Sequence, residues 1–342
     1  MRLEPPAWWY KERATPVARA LQPVARLVDA MSAKRWAAAK PFRAAVPVVC
    51  VGNLTVGGAG KTPLALGIAG LLREAGRRPG FLTRGYGGWQ KGPHTVNPAM
   101  DGARDVGDEA LLLARAAPTM LARDRAVGAR AFAGLPVDAI VMDDGLQNPQ
   151  LLKQLSIAVL DPQRWIGNGL VMPAGPLREG LETQLRRTDA LVVLCGQAGA
   201  PPDLPPALRA FRGAVLRAEL VADPAVAADL KGRPVVAYAG IGRPSKLFDT
   251  LRGIGVGDLH EVPFPDHHRY SATEANQLLA HASERRALLV TTEKDMARMA
   301  GIPRLRELAS ASIALPVAAR FVDRDLERMR ALIGMMLTRQ AR

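Results

Sequence analysis

Short, nearly continuous apolar runs recur between residues 48 and 194, at 48–51, 79–83, 119–122, 137–142, 156–160 and 190–194. Continuous rather than alternating apolar character predicts strands covered on both faces. The stretches between them, 63–75, 107–116, 124–133 and 181–187, space their apolar residues three and four apart, as a one-sided helix does. Strand and helix in turn predict an α/β fold, doubly wound around a mostly parallel sheet. A second set follows, with strands at 213–219, 234–239, 259–262, 287–291 and 312–317 and helices at 244–252, 272–285 and 323–338. Ser271 with Glu274 three residues on is the capping-box signature that starts the helix 272–285. The Gly- and Pro-rich stretch 196–206 separates the two sets and reads as a linker. The pattern therefore divides the chain into an N-terminal helical segment (1–45), a first α/β domain (46–200) and a second, smaller α/β domain (207–342).

The N-terminal segment has its own character. Val17, Leu21, Val24, Val28 and Met31 alternate spacings of four and three, which makes one apolar helical stripe. Pro23 falls inside it and predicts a kink or two short helices. The chain of 342 residues carries 46 basic and 32 acidic side chains, a net +14. Residues 1–44 alone hold nine basic against three acidic, and Trp8, Trp9, Tyr10 and Trp36 lie among them. Nucleic-acid binding calls for aromatics interleaved in a basic stripe, and aromatics make up only 5% of this chain. No nucleic-acid partner is therefore expected. Cations beside interfacial aromatics fit an anionic membrane surface, although a helix closing the core gives the same stripe. No run approaches the roughly 18–20 apolar residues of a spanning helix, and charges interrupt any signal-peptide core. A cytoplasmic protein, peripheral to a membrane, is the expectation. Cys50 and Cys195 fall in predicted strands and read as small core residues.

The chemistry begins between the first predicted strand and the first predicted helix, at Thr55-Val56-Gly57-Gly58-Ala59-Gly60-Lys61-Thr62. Glycines let backbone N–H groups curl around an anion, and the helix N-terminus adds partial positive charge. Lys61 can reach the β- and γ-phosphates of a nucleoside triphosphate, and the Thr62 hydroxyl can ligate Mg2+. Thr55 stands where the general P-loop pattern has its first glycine. The first domain is accordingly expected to be of the P-loop NTPase type.

Val137–Asp144 is an apolar run ending in two acids, a Walker-B arrangement, so Asp143 or Asp144 is expected to hold Mg2+. Asp105, Asp108 and Glu109 sit at the start of the helix 107–116, where acids are also ordinary dipole partners. Asp108 is a candidate acceptor for a hydroxyl proton, and Glu109 a further candidate metal ligand. The densest polar cluster of the second domain is Pro263–Tyr270, with His267 and His268. One of these histidines faces the core, or His267 serves as a base or as a partner orienting Asp108 from across a cleft. Arg84 and Arg178, each in a glycine-containing loop after a predicted strand, are candidates to clamp phosphate or substrate.

Taken in order, VGNLTVGGAGKTP, TRGYGG, VGDEA, DDGLQN, PAGPLRE, FPDHHRY and TTEKD, spanning roughly residues 51–295, resemble the tetraacyldisaccharide 4'-kinases, the lipid A 4'-kinases of Gram-negative bacteria. The resemblance implies two α/β domains with the active site in the cleft between them. It also implies transfer of the γ-phosphate of ATP to the 4'-hydroxyl of a tetraacylated glucosamine disaccharide 1-phosphate, at the cytosolic face of the inner membrane. The family's acid–histidine dyad maps onto Asp108 and His267, and its nucleotide loop onto Thr55–Thr62, the missing first glycine being a family trait. The family usually has Pro after the GDE triplet, where Ala110 stands here.

Two other functions fit parts of the pattern. Membrane-associated ATPase switches share the GG-x-GK-[ST] loop but carry a Lys just before the two glycines, where this chain has Val56. A soluble P-loop small-molecule kinase would use the same loop and acids on an acceptor free in water.

Overall fold

The computed structural model describes residues 5–11, 13–196 and 203–340. Most of the expected linker (197–202), together with Arg2, Glu4 and Glu12 of the charged N-terminal segment, lies outside the described residues. Among the described residues, thirteen strands form two sheets. They are β1 (Val48–Asn53), β2 (Pro79–Thr83), β3 (His94–Thr95), β4 (Thr119–Leu121), β5 (Ala139–Asp143), β6 (Leu155–Leu160), β7 (Ala190–Cys195), β8 (Ala214–Ala222), β9 (Val235–Ala239), β10 (Leu259–Pro263), β11 (Leu288–Thr292), β12 (Ser312–Leu315) and β13 (Val317–Phe321).

The larger sheet runs β13-β8-β7-β6-β1-β5-β2-β4-β3 and is parallel except at its two edge strands, β13 and β3. β1 is central, and β1, β2, β5, β6 and β7 are buried along their whole length, as their continuous apolar character requires. Leu64, Ile68 and Leu72 of the helix Lys61–Glu74 and Met329, Ile333 and Met336 of the helix Asp323–Gln340 cover one face. Ala129, Phe132, Leu177 and Leu208 belong to the core on the other. This is the expected doubly wound α/β architecture.

The smaller sheet is fully parallel, in the order β10-β9-β11-β12. Its membership corrects the division of the chain at residue 207. β8 pairs with β7, and the last strand of the chain, β13, returns to pair antiparallel with β8, so both belong to the larger sheet. The chain leaves that sheet at Ala222 and re-enters it at Val317, which is paired with Ala222. The expected strand 312–317 is two strands of different sheets because Pro316 interrupts it, a residue that cannot donate to a ladder.

The N-terminal helix runs unbroken from Pro16 to Ala38. Pro23 does not divide it, because Pro23 and Arg19 are both on the exposed side, where the carbonyl that loses its N–H partner meets water. The helix rests on the body through small residues, Ala18 and Ala25, while Val17, Val24, Leu27 and Met31 point outward, 48–64% exposed.

Candidate active site

The loop after β1 is held open by its own surroundings. Gly57 and Gly60 take positive φ (116° and 97°), which β-carbon-bearing residues rarely adopt. The Val56 N–H donates to Pro176 O (2.8 Å), the Arg178 N–H to Leu54 O (3.0 Å), and Asn53 Nδ2 to Gly57 O (3.0 Å). Lys61 and Thr62 open the following helix and are both buried.

The register of β1 with β5 sets Val51 level with Asp143, which brings the two acids beside this loop. Their environments differ. Asp144 takes a left-handed φ of 54° and accepts two bonds from the Arg178 guanidinium (2.8 and 3.1 Å), with Lys61 Nζ at 3.7 Å. Burial alone would raise its pKa; Lys61 and Arg178 outweigh burial and hold it well below the usual carboxylate range. Asp143 is pushed the other way, by burial and then by the neighbouring Glu109. Both Asp143 carboxylate oxygens and the Thr62 hydroxyl are buried without a hydrogen-bond partner. Buried oxygens left unpaired are costly, and a hard cation would satisfy all of them. Among the described residues no group of three or more His, Cys, Asp or Glu side chains is arranged around a metal. Mg2+ does not require one, since it takes one or two protein oxygens and completes its shell with phosphate and water. The residues present therefore fit Mg2+.

Asp108 heads the helix Asp108–Ala116, and its side chain is only 2% exposed. Its Oδ1 accepts the Glu109 N–H (3.0 Å). Its Oδ2 is gripped by Arg298 Nε (2.6 Å) and Nη2 (2.5 Å), with His267 Nδ1 at 3.5 Å. Burial would raise the Asp108 pKa, but the bond with His267 and the Arg298 charge override burial and hold the carboxyl well below its ordinary range. His267 has a left-handed φ of 56°, uncommon for residues other than glycine, and its N–H donates to Gly240 O (2.8 Å). Its ring packs edge-on against Tyr86, 5.2 Å between centroids. Asp108 comes from the larger sheet's domain and His267 and Arg298 from the smaller one, so the cluster exists only where the two meet.

The other expected site residues are distributed as follows. Glu109 is paired with Lys294 (2.6 Å), and its oxygens face that ammonium as well as the Lys61 charge. Arg178 donates to Asp144 and to Thr55 O (3.2 Å), which occupies its fork with protein acceptors. Arg84 is exposed on the loop after β2. His268 packs on Phe264 and bonds Glu274 (3.0 Å), so the second histidine is a structural one. The roles of Lys294 and Arg298 were not read from the sequence. They stand four apart on the helix Glu293–Met299, which places them on one face, and that spacing was the available signal.

Another acid organises the N-terminal helix. Glu179, next to Arg178 and 3% exposed, accepts bonds from the Ser32 hydroxyl, Trp36 Nε1 (3.1 Å), Arg35 (3.3 Å) and Arg187 (3.1 Å). Asp29 accepts the Gly180 N–H (2.7 Å). Trp9 is also drawn into the protein, donating to Pro173 O (3.1 Å), and Tyr10 stacks under Arg164. Trp9, Tyr10 and Trp36 thus fasten the segment to the body, and the outward apolar residues belong to the helix.

The sequence profile of the family described as tetraacyldisaccharide-1-P 4'-kinase matches residues 17–334. The chain belongs to this family. A tetraacyldisaccharide 4'-kinase from Methylobacterium sp. (strain 4-46) is 49% identical over 338 residues, 98% of each chain. One from Rhodospirillum centenum is 45% identical over 335 residues, 96% of each chain. Among solved structures, LpxK from Aquifex aeolicus in complex with ATP superposes with a TM-score of 0.73 at 26% identity, covering 94% of this chain and 99% of that one. The family membership makes the chain a kinase and agrees with the P-loop NTPase-type fold. Among the described residues no helix is long and apolar enough to cross a membrane.

Proposed function

We propose that this chain transfers the γ-phosphate of ATP to the 4'-hydroxyl of a tetraacylated glucosamine disaccharide 1-phosphate, working as a peripheral enzyme on the cytosolic face of the inner membrane. One observation carries the reading. Asp108 and His267 come from the domains of different sheets and meet at 3.5 Å in a cluster that also includes Glu109, whose carboxyl feels the charge of Lys61 on the phosphate loop. A proton acceptor beside a triphosphate cradle is what transfer to a hydroxyl needs.

In this mechanism the N–H groups of Gly57, Gly58, Gly60, Lys61 and Thr62 and the Lys61 ammonium hold the β- and γ-phosphates. Thr62 and Asp143 are the groups that would hold Mg2+, which would supply positive charge to offset that of the phosphates. Arg178 keeps Asp144 close to Lys61, which fixes the ammonium against the loop. Asp108 and His267 act together to take the proton of the attacking hydroxyl. Arg298 fixes the carboxylate, and the partly exposed imidazole faces the cleft. Arg84, exposed within the TRGYGG loop, is the side chain we assign to the phosphate of the lipid acceptor.

An acylated acceptor stays in its bilayer, since each exposed CH2 costs about 0.8 kcal/mol, so the enzyme must go to the surface. The outward face of the helix Pro16–Ala38, with Val17, Val24, Leu27 and Met31, supports that route. Leu27→Glu with Met31→Glu touches no buried contact. The pair is expected to keep the fold, weaken sedimentation with anionic vesicles severalfold and raise KM for micellar lipid with little change in KM for ATP. Unchanged vesicle binding by this variant would move the membrane contact elsewhere. The activity is tested by comparing acceptors under identical conditions. Turnover with tetraacyl disaccharide 1-phosphate in mixed micelles is expected to exceed that with deacylated, water-soluble disaccharide by orders of magnitude. Equal turnover on both would favour a soluble small-molecule kinase.

A further inference from the structure

On the side of β1 opposite Asp143 stands an ion cluster that the mechanism above does not use. β6 is paired with β1, so Asp161, the residue after β6, emerges beside the phosphate loop. It is 8% exposed, and both of its cationic partners come from the smaller sheet's domain. Arg243 donates to Asp161 Oδ2 and Gln163 Oε1, and Lys246 Nζ lies 2.9 Å from the same Oδ2. Lys246 also reaches the Gly58 carbonyl of the phosphate loop (3.5 Å). A β-carbon on Gly242 would sit 3.4 Å from the Gly58 nitrogen, so the two backbones are in contact.

Arg243 and Lys246 belong to the segment that follows β9, and its first residue, Gly240, is the anchor of the distant acid–histidine cluster. The Gly240 carbonyl accepts the His267 N–H (2.8 Å) and Arg298 Nη1 (2.5 Å), and its N–H donates to the buried Asp295 (3.0 Å). One short segment therefore has its far end clamped to Asp161, its middle seated on the phosphate loop and its near end holding the His267 backbone and the Arg298 guanidinium, the two residues that grip Asp108.

We infer that Asp161 is a positioning residue for phosphoryl transfer. Through Arg243 and Lys246 it seats the segment 240–246 on the phosphate loop, and so sets the approach of His267 and Arg298 to Asp108. Small misplacements of reacting groups cost up to about a hundredfold in rate, so the effect belongs in kcat. ATP binds mainly to the larger sheet's domain, so its KM changes much less. The inference rests on the functional reading above, and its test has a readout that needs no acceptor.

Asp161→Asn keeps size and shape, including the oxygen that accepts the Gln163 N–H, and removes the charge. Faster hydrogen exchange at the amides of 240–246 and of His267 is expected in this variant, together with a kcat about tenfold or more lower and KM for ATP within about threefold of wild type. Lys246→Arg should retain most activity and Lys246→Gln should not. The double variant Asp161→Asn with Lys246→Gln should be little worse than the weaker single one. Unchanged exchange at His267, or fully multiplicative losses in the double variant, would overturn the inference. So would a folded Asp161→Asn protein with wild-type kcat. Failure of the wild-type enzyme to phosphorylate the lipid would instead remove the functional reading, with the exchange experiment still deciding the role of Asp161.

Discussion

Lys61→Ala is expected to lower phosphoryl transfer by roughly a thousandfold or more while the protein stays folded. The side chain is 10% exposed, and its one ion pair among the described residues is the 3.7 Å contact with Asp144. That acid keeps its bidentate bond to Arg178 when the lysine is removed, so the loop loses a cation and little packing. The loss falls on the transferring phosphate, where negative charge is concentrated in a site largely closed to water. Turnover and thermal unfolding measured on the same preparation check this. Near-normal turnover by a folded Lys61→Ala protein would contradict the assignment of the nucleotide loop.

Asp108→Asn is expected to cost about two to four orders of magnitude in turnover, with ATP binding nearly intact. Asparagine keeps one acceptor oxygen, which can take the Glu109 N–H and preserve the helix start, while its amide NH2 replaces the oxygen that accepts from Arg298. What disappears is the negative charge that orients His267 and takes up the proton with it. His267→Ala should bring a comparable loss. Because the two side chains share one task, the double variant should be little worse than either single one. Fully multiplicative losses would assign them independent work, and an undiminished Asp108→Asn would remove the dyad from the mechanism. Steady-state kinetics with parallel nucleotide titrations separates these outcomes.

The local elements were legible because their signals are local. The apolar run into Thr55–Thr62, the acid-ended run at Asp143 and the Ser271–Glu274 cap each depend on neighbours in sequence. The division of the chain was not legible, because it depends on which sheet a strand joins. β8 and β13 look like strands of the second set, and the pairing of β8 with β7 and of β13 with β8 places them in the first. The same limit applied within the site. Asp143 and Asp144 are adjacent and chemically identical, and what separates them is Arg178, 34 residues away from Asp144. Arg298, 190 residues from Asp108, carried no sign of its partner beyond its spacing from Lys294. The helix Pro16–Ala38 gave a third case. Its stripe was visible, but which face turns outward was decided by Glu179, which bonds Ser32, Arg35 and Trp36 and turns that side inward.

The central claim is that the phosphate loop and the Asp108–His267 pair act together on a lipid hydroxyl, and following the label from [γ-32P]ATP tests it most directly. With tetraacyl disaccharide 1-phosphate in mixed micelles and Mg2+ present, the label is expected in a lipid carrying a second phosphate, on the 4' position, with little released as inorganic phosphate. Label appearing only as inorganic phosphate, at a rate indifferent to the lipid, would contradict the account and mark the chain as a nucleotide-hydrolysing switch.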